Sequence, residues 1–291
     1  MKELIGTGVA LITPFDQQGA VDFKALEQLV NFQIEQGINY LVVLGTTGES
    51  VTLTKSEKAA VLETVVKVNA SRVPLVLGVG GNDTQSVIME LQKVNPAEIT
   101  AVLSVSPMYN KPAQAGLLAH FSAVAKASPV PVVLYNVPGR TASNMAPSTV
   151  LSLAQQPNII GIKEASGDLA QAMEILRAAP KDFLVISGDD LIALPMTMMG
   201  GHGVISVIGQ AYPAEFSQMI QSGLEGNTDK AKKIHYSLMP IIDMIFEQGN
   251  PSGIKALLSI KGLCSNSLRL PLVAVDQSLE QRIEAFAKKA D

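Results

Sequence analysis

Between residues 7 and 209 the chain repeats one unit eight times: a short, continuously apolar run rich in β-branched residues, then a stretch of helical period. The runs are TGVALIT (7–13), INYLVVLG (38–45), VPLVLGV (73–79), ITAVLSVS (99–106), VPVVLYN (130–136), IIGIKE (159–164), FLVISGD (183–189) and GVISVIG (203–209). Because they are apolar throughout rather than alternating, they read as strands covered on both faces. Asp22 opens the first helix, with Phe23, Leu26, Leu29, Val30 and Ile34 on one face and Gly37 past its end. The second starts at a capping box, Thr54-Lys55-Ser56-Glu57, and continues through Leu62, Val65 and Val66. Others begin near Thr84, Pro112, Pro147, Asp168, Asp189 and Pro213. Proline suits a first helical turn, where its missing N–H has no intrahelical partner. Strands separated by helices imply parallel βαβ units, and eight of them imply a closed (β/α)8 TIM barrel. The open doubly wound sheet is the alternative, but no G-x-G-x-x-G follows the first run.

The length of 291 residues exceeds a typical single domain, yet barrels of about 250 residues form one. Residues 1–225 are expected to make the barrel and 226–291 an appended helical region, with helices near 228–247, 251–263 and 277–289. A net charge of −4 offers no basic footprint for nucleic acid. A single cysteine, Cys264, cannot build an internal disulfide framework and fits a reducing cytoplasm. Its neighbours GLCSNS supply no histidine, so it reads as a small buried hydrophobe. No secretory signal is evident, since Glu3 follows Lys2 and no small-residue cleavage site appears. Residues 191–214 carry no formal charge over a membrane-spanning length, but Pro195, Gly200, Gly201, Gly203, Gly209 and Pro213 interrupt them. They read as helix, glycine turn, strand and turn, not as a span. The methionines of PMTMMGG (195–201) read as core filler.

In such a barrel chemistry collects where strands end. The polar segments at those ends are GTTGES (45–50), SPMYNKP (106–112), YNVPGRT (135–141), KEASGD (163–168) and SGDD (187–190). Lys163 is the most informative residue. As a structural residue it would pair with Glu164 or reach solvent along its stem. Adjacent strand residues point to opposite faces, however, so Lys163 and Glu164 should not share a side. Lys163 shares parity with Ile159 and Gly161 and is expected to face the barrel axis. Burial disfavours an ammonium ion, and a neutral amine can attack a ketone to form a Schiff base. The resulting iminium is an electron sink that lets the neighbouring carbon lose a proton and act as a nucleophile.

GTTGES reads either as a glycine turn or as an anion-binding loop, with Thr46 and Thr47 donating hydroxyls; it is not a P-loop, because no GK[ST] follows. Tyr135 and Tyr109 read either as amphipathic tyrosines or, beside a Schiff-base lysine, as proton shuttles. Arg140 is either surface charge or a bidentate clamp for a carboxylate. The three histidines, His120, His202 and His235, lack metal-ligand spacing, so no metal site is expected.

Jointly, GTTGES, YNVPGRT and GIKEASGD resemble the dihydrodipicolinate synthase family of class I pyruvate-dependent aldolases, and the likeness runs from GTGVALITPF (6–15) to the C-terminus. The resemblance implies a Schiff-base condensation of pyruvate with L-aspartate 4-semialdehyde in lysine and diaminopimelate biosynthesis, with neither metal nor other cofactor. It assigns Lys163 the Schiff base and Tyr135 the proton donor and acceptor, linked through Thr46 to Tyr109 of a neighbouring subunit. It assigns Thr47 and Ile205 the pyruvate carboxylate, Arg140 the carboxylate of the semialdehyde, and Gly188 the site lining. It further implies a homo-oligomer, a tetramer built as a dimer of dimers. N-acetylneuraminate lyase-like aldolases are the same-fold alternative. Arg140 and the GTTGE wording favour the synthases, whereas a non-catalytic sensor should have lost Lys163 or Tyr135. Lysine-inhibited members share an allosteric site. Ser50 and Asn82 fit it here, but Lys55, Lys58, Ser86 and Met108 occupy the other positions, so feedback by lysine is expected to be weak or absent.

Overall fold

A computed structural model describes residues 2–290. In chain order the elements are β1 (Gly6–Ala10), α1 (Phe23–Glu35), β2 (Tyr40–Val43), α2 (Lys55–Asn69), β3 (Leu75–Gly78), α3 (Thr84–Leu91), β4 (Ala101–Val105), α4 (Gln114–Ala127), β5 (Val132–Asn136) and α5 (Pro138–Thr141). They continue with α6 (Pro147–Leu153), β6 (Ile159–Glu164), α7 (Leu169–Ala178), β7 (Leu184–Ser187), α8 (Ala193–Met198), β8 (Gly203–Ser206), α9 (Pro213–Leu224), α10 (Thr228–Glu247), α11 (Ser252–Ile260) and α12 (Gln277–Ala290). Each of the eight apolar runs holds one strand, with β1 starting one residue before its run, at Gly6. The strands pair in sequence order, all in parallel, and β8 returns to β1 to close the barrel.

Local chemistry sets most helix starts. Asp22 accepts from Ala25 N at 3.0 Å and Asp168 from Gln171 N at 3.1 Å, while Thr54 and Glu57 form the expected reciprocal box. The helix expected near Asp189 begins later, at Ala193, because neither aspartate caps it. Asp189 Oδ1 accepts from Leu191 N at 2.8 Å, and Asp190 Oδ2 accepts from Val207 N at 3.1 Å and Ile208 N at 2.9 Å. At the seam, Gly203 has φ +120°, and a Cβ there would lie 1.9 Å from the Gly6 carbonyl oxygen, so only glycine lets β8 approach β1.

Val42, Leu103, Val133, Ile186 and Ile205 fill the barrel interior. A larger cluster crosses residue 225, bringing Tyr212 and Phe216 together with Ile241, Ile254 and Leu258. The uncharged segment at 191–214 resolves into α8, a glycine turn, β8 and the start of α9. Among the described residues no helix is long and apolar enough to cross a membrane.

A buried ion pair is among the polar contacts that join the C-terminal region to the barrel. Lys255 of α11 places Nζ 2.5 Å from Glu49 Oε1, with both side chains essentially inaccessible, at 0% and 1%. Lys255 also donates to the Ser267 carbonyl at 2.9 Å and lies over the Phe15 ring, and Glu49 Oε2 accepts from Arg269 N at 3.2 Å. Removing one member of such a pair strands a buried charge, at a cost of about 3–5 kcal/mol, whereas replacing both by apolar side chains is often near neutral. Lys255→Met is therefore expected to lower the denaturation midpoint strongly, and adding Glu49→Leu to recover most of the loss. Equal midpoints for the wild type and Lys255→Met would contradict this.

Candidate active site

The parallel register puts Tyr135 of β5 opposite Lys163 of β6, and Lys163 opposite Ile186 of β7. Residues aligned across neighbouring strands share a face. Tyr135 and Lys163 therefore meet inside the barrel, 7% and 5% exposed, with Lys163 Nζ 4.5 Å from the centre of the Tyr135 ring. Among the described residues no carboxylate pairs with Lys163 Nζ. Glu164 leaves the strand on the opposite face. Its Oε2 accepts from Asn136 Nδ2 at 2.9 Å and Gln171 Nε2 at 3.1 Å, and its Oε1 from Ser166 N at 2.7 Å.

The inward direction of Lys163 agrees with the strand-parity expectation, but one premise of it fails. The β5–β6 register shifts between Val132 and Val133, so Ile159 joins Ile162 in the cluster beneath the helices while Ile160 packs toward the interior. Strand alternation cannot be carried across such an irregularity.

Gly188, just past β7, gives the lysine stem its room. A Cβ there would fall 2.7 Å from Lys163 Cε and 2.6 Å from Ala165 Cβ. Ile205 sits inside the barrel, aligned with Gly8 on β1. Asp190 is fully buried, which pushes its carboxyl up to about 6 even as the backbone N–H groups of Val207 and Ile208 favour the ionised form. Its bonds hold the segment following β8.

The loop after β2 forms two 3-10 turns, Thr46–Gly48 and Ser50–Thr52, hinged at Glu49 with φ +49°. Thr13 Oγ1 donates to the Gly48 carbonyl at 2.7 Å, and Lys255 and Arg269 hold Glu49. Thr47 is buried, whereas Thr46 is exposed. Left-handed non-glycine residues cluster at these strand ends, at Leu44, Glu49, Tyr109, Lys111 and Ala142. Such strain collects at functional sites.

The described residues do not join Tyr135, Thr46 and Tyr109 by hydrogen bonds within one chain. Tyr109 instead projects outward, 87% exposed. Arg140, on α5, turns back over the site and donates from Nη2 to the Asn250 carbonyl at 3.0 Å.

Asn250, which precedes α11, has no counterpart in the sequence reading. It is nearly buried, and its Nδ2 donates to Thr47 Oγ1 at 3.0 Å. In the string QGNP only helix-stop chemistry is visible, and nothing local marks the asparagine. The histidines lie apart: His120 shares a hydrogen bond with Thr84 at 2.9 Å, His202 accepts from Val185 N at 3.1 Å, and burial pushes the pKa of all three below the ordinary histidine value. Among the described residues no group of three metal-ligating side chains gathers.

The chain as a whole is similar to known proteins. The dihydrodipicolinate synthetase family matches residues 3–290. A 4-hydroxy-tetrahydrodipicolinate synthase of Flavobacterium psychrophilum is 58% identical over 290 residues, covering 99% of both chains. The crystal structure of a dihydrodipicolinate synthase from Acinetobacter baumannii, complexed with pyruvate, superposes with a TM-score of 0.96 at 35% identity, over 99% of each chain. That of a family member from Cyanidioschyzon merolae with lysine bound gives a TM-score of 0.95 at 38% identity, over 99% of this chain and 98% of the other. The chain belongs to the dihydrodipicolinate synthetase family.

Proposed function

We propose that Lys163 attacks the ketone of pyruvate and expels water to form a Schiff base, and that loss of a methyl proton gives the enamine. That carbon adds to the aldehyde of L-aspartate 4-semialdehyde, whose amino group then closes the ring onto the imine carbon and displaces Lys163. The product is 4-hydroxy-tetrahydrodipicolinate, and the enzyme is a lyase of the class I aldolase type in lysine and diaminopimelate biosynthesis. The observation that carries the assignment of Lys163 is a buried amine without a carboxylate partner, set 4.5 Å from the ring centre of Tyr135. A carboxylate there would hold the amine as an ammonium ion and block attack. Tyr135 is the aligned neighbour able to move protons, and Gly188 leaves space for the lysine to swing onto its substrate. The relative from Acinetobacter baumannii complexed with pyruvate supports the same substrate here.

Thr47 binds the pyruvate carboxylate, with Ile205 completing that end of the site. Arg140 takes the carboxylate of the semialdehyde. Tyr109 extends the proton path through Thr46 to Tyr135 of a neighbouring subunit, which makes the working enzyme a homo-oligomer and, on the family resemblance, a tetramer. Its 87% exposure supports that direction, as do exposed Val51 and Leu270, which flank the bond from Arg269 Nη1 to the Thr52 carbonyl. Feedback by lysine is weak or absent. The effector is a cation, and Lys55 and Lys58, at two of the positions that the family resemblance assigns to its site, would repel it. Ser86 is turned onto Asp83 by a short hydrogen bond, and Met108 offers no hydroxyl.

Borohydride reduction in the presence of pyruvate is expected to leave a pyruvyl adduct on Lys163, seen by peptide mass spectrometry, and Lys163→Ala to abolish it; an unlabelled Lys163 in the wild type would refute the reading. Arg140→Ala is expected to lower kcat/KM for the semialdehyde by about ten- to a hundred-fold, the worth of one charge-assisted contact, while leaving pyruvate trapping intact. Loss of trapping in that variant would remove Arg140 from the second substrate. Millimolar lysine is expected to leave turnover within about two-fold, and sedimentation at assay concentration to give an oligomer; strong inhibition or a monomer would overturn the respective statement.

A further inference from the structure

One residue touches both groups that hold substrate carboxylates. Asn250 donates from Nδ2 to Thr47 Oγ1 at 3.0 Å, and its main-chain oxygen accepts from Arg140 Nη2 at 3.0 Å. The remaining amide atom, Oδ1, is buried without a hydrogen-bond partner among the described residues.

A hydroxyl carries one proton and two lone pairs, and what fills the lone pairs decides where the proton is directed. With Asn250 donating into Thr47 Oγ1, the threonine proton remains directed to an anion. The opposite amide orientation would accept that proton and leave a carboxylate facing lone pairs. A buried acceptor without a partner is unfavourable, and native interiors rarely carry one. Its presence here accompanies the amide orientation that keeps Thr47 a donor.

We propose that Asn250 is a positioning residue for both substrates: its side-chain amide holds the Thr47 hydroxyl as a donor to the pyruvate carboxylate, and its main-chain carbonyl holds Arg140 at the semialdehyde end. This rests on the Schiff-base reading of Lys163 and on the carboxylate roles of Thr47 and Arg140. The two tasks fall on different atoms. A change of side chain removes the first contact and retains the second, because every replacement keeps the carbonyl.

The test uses the full-length enzyme with Asn250→Ala and Asn250→Asp, varying each substrate in turn. Asn250→Ala is expected to raise KM for pyruvate about ten-fold, the effect of one hydrogen bond, and to leave KM for the semialdehyde within about two-fold. Asn250→Asp keeps the shape but can only accept. It accepts the Thr47 hydrogen bond and adds a repelling charge, and is expected to raise KM for pyruvate about a hundred-fold. The pyruvate concentration giving half-maximal borohydride trapping should move in parallel, with no second substrate present. If the alanine variant fails to fold, the aspartate variant and its trapping curve carry the test. Parallel rises in both KM values, an unchanged pyruvate dependence, or an aspartate variant equal to wild type would overturn the proposal. Absence of any pyruvyl adduct in the wild type is the separate failure of the Schiff-base reading, and the inference would fall with it.

Discussion

Glu49 and Lys255 are both removed from water, and each is tolerable only because of the other. Desolvation lowers the lysine's affinity for its proton, and the Glu49 carboxylate opposes that effect at 2.5 Å. The pair does more than satisfy itself. Glu49 is the left-handed hinge of the loop that presents Thr46 and Thr47, and Lys255 lies five residues after the asparagine that meets Thr47 and Arg140. A buried charge pair has narrow geometric tolerance, so fixing Glu49 against α11 also fixes the distance between the loop and Asn250. The C-terminal helices thereby build the site as well as cover the barrel's flank.

The barrel supplies the second requirement, alignment across strands. Eight parallel strands present their C-terminal ends together, so Tyr135, Lys163, Gly188 and Ile205 come from four consecutive strand ends and converge on one interior. Alternation on β6 then separates two neighbouring polar residues by function. Lys163 enters the site, while Glu164 turns away into bonds with Asn136, Gln171 and the Ser166 backbone. Had both shared a face, the carboxylate would have held the lysine as an ammonium ion.

Much of this was legible in the sequence because burial on both faces removes polar alternation, which makes each parallel strand visible as a continuous apolar run. Helix starts were legible where a capping side chain acts within three residues, as at Asp22, Thr54 and Asp168. One start was misplaced: the Asp189 carboxylate folds onto Leu191 N two residues on, and the neighbouring Asp190 serves Val207 and Ile208, so α8 starts late. Ile159 was assigned to the interior because a register shift is invisible to alternation. Asn250 and Lys255 escaped notice because their partners lie 203 and 206 residues away, beyond any local periodicity.

The sequence by itself determined the eight-unit rhythm, the closed barrel it demands, and the residue types gathered at the strand ends. Those follow from short-range rules of hydrophobic period, capping and turn chemistry, which act between residues close along the chain. Only the tertiary structure decided that Lys163 lies against Tyr135 with no carboxylate partner among the described residues, that Arg140 bends back to a main-chain oxygen, and that a buried ion pair ties the last helices to the loop after β2. Each of these is a contact whose strength depends on distance in space and exclusion of water, and neither quantity is written in the order of the residues.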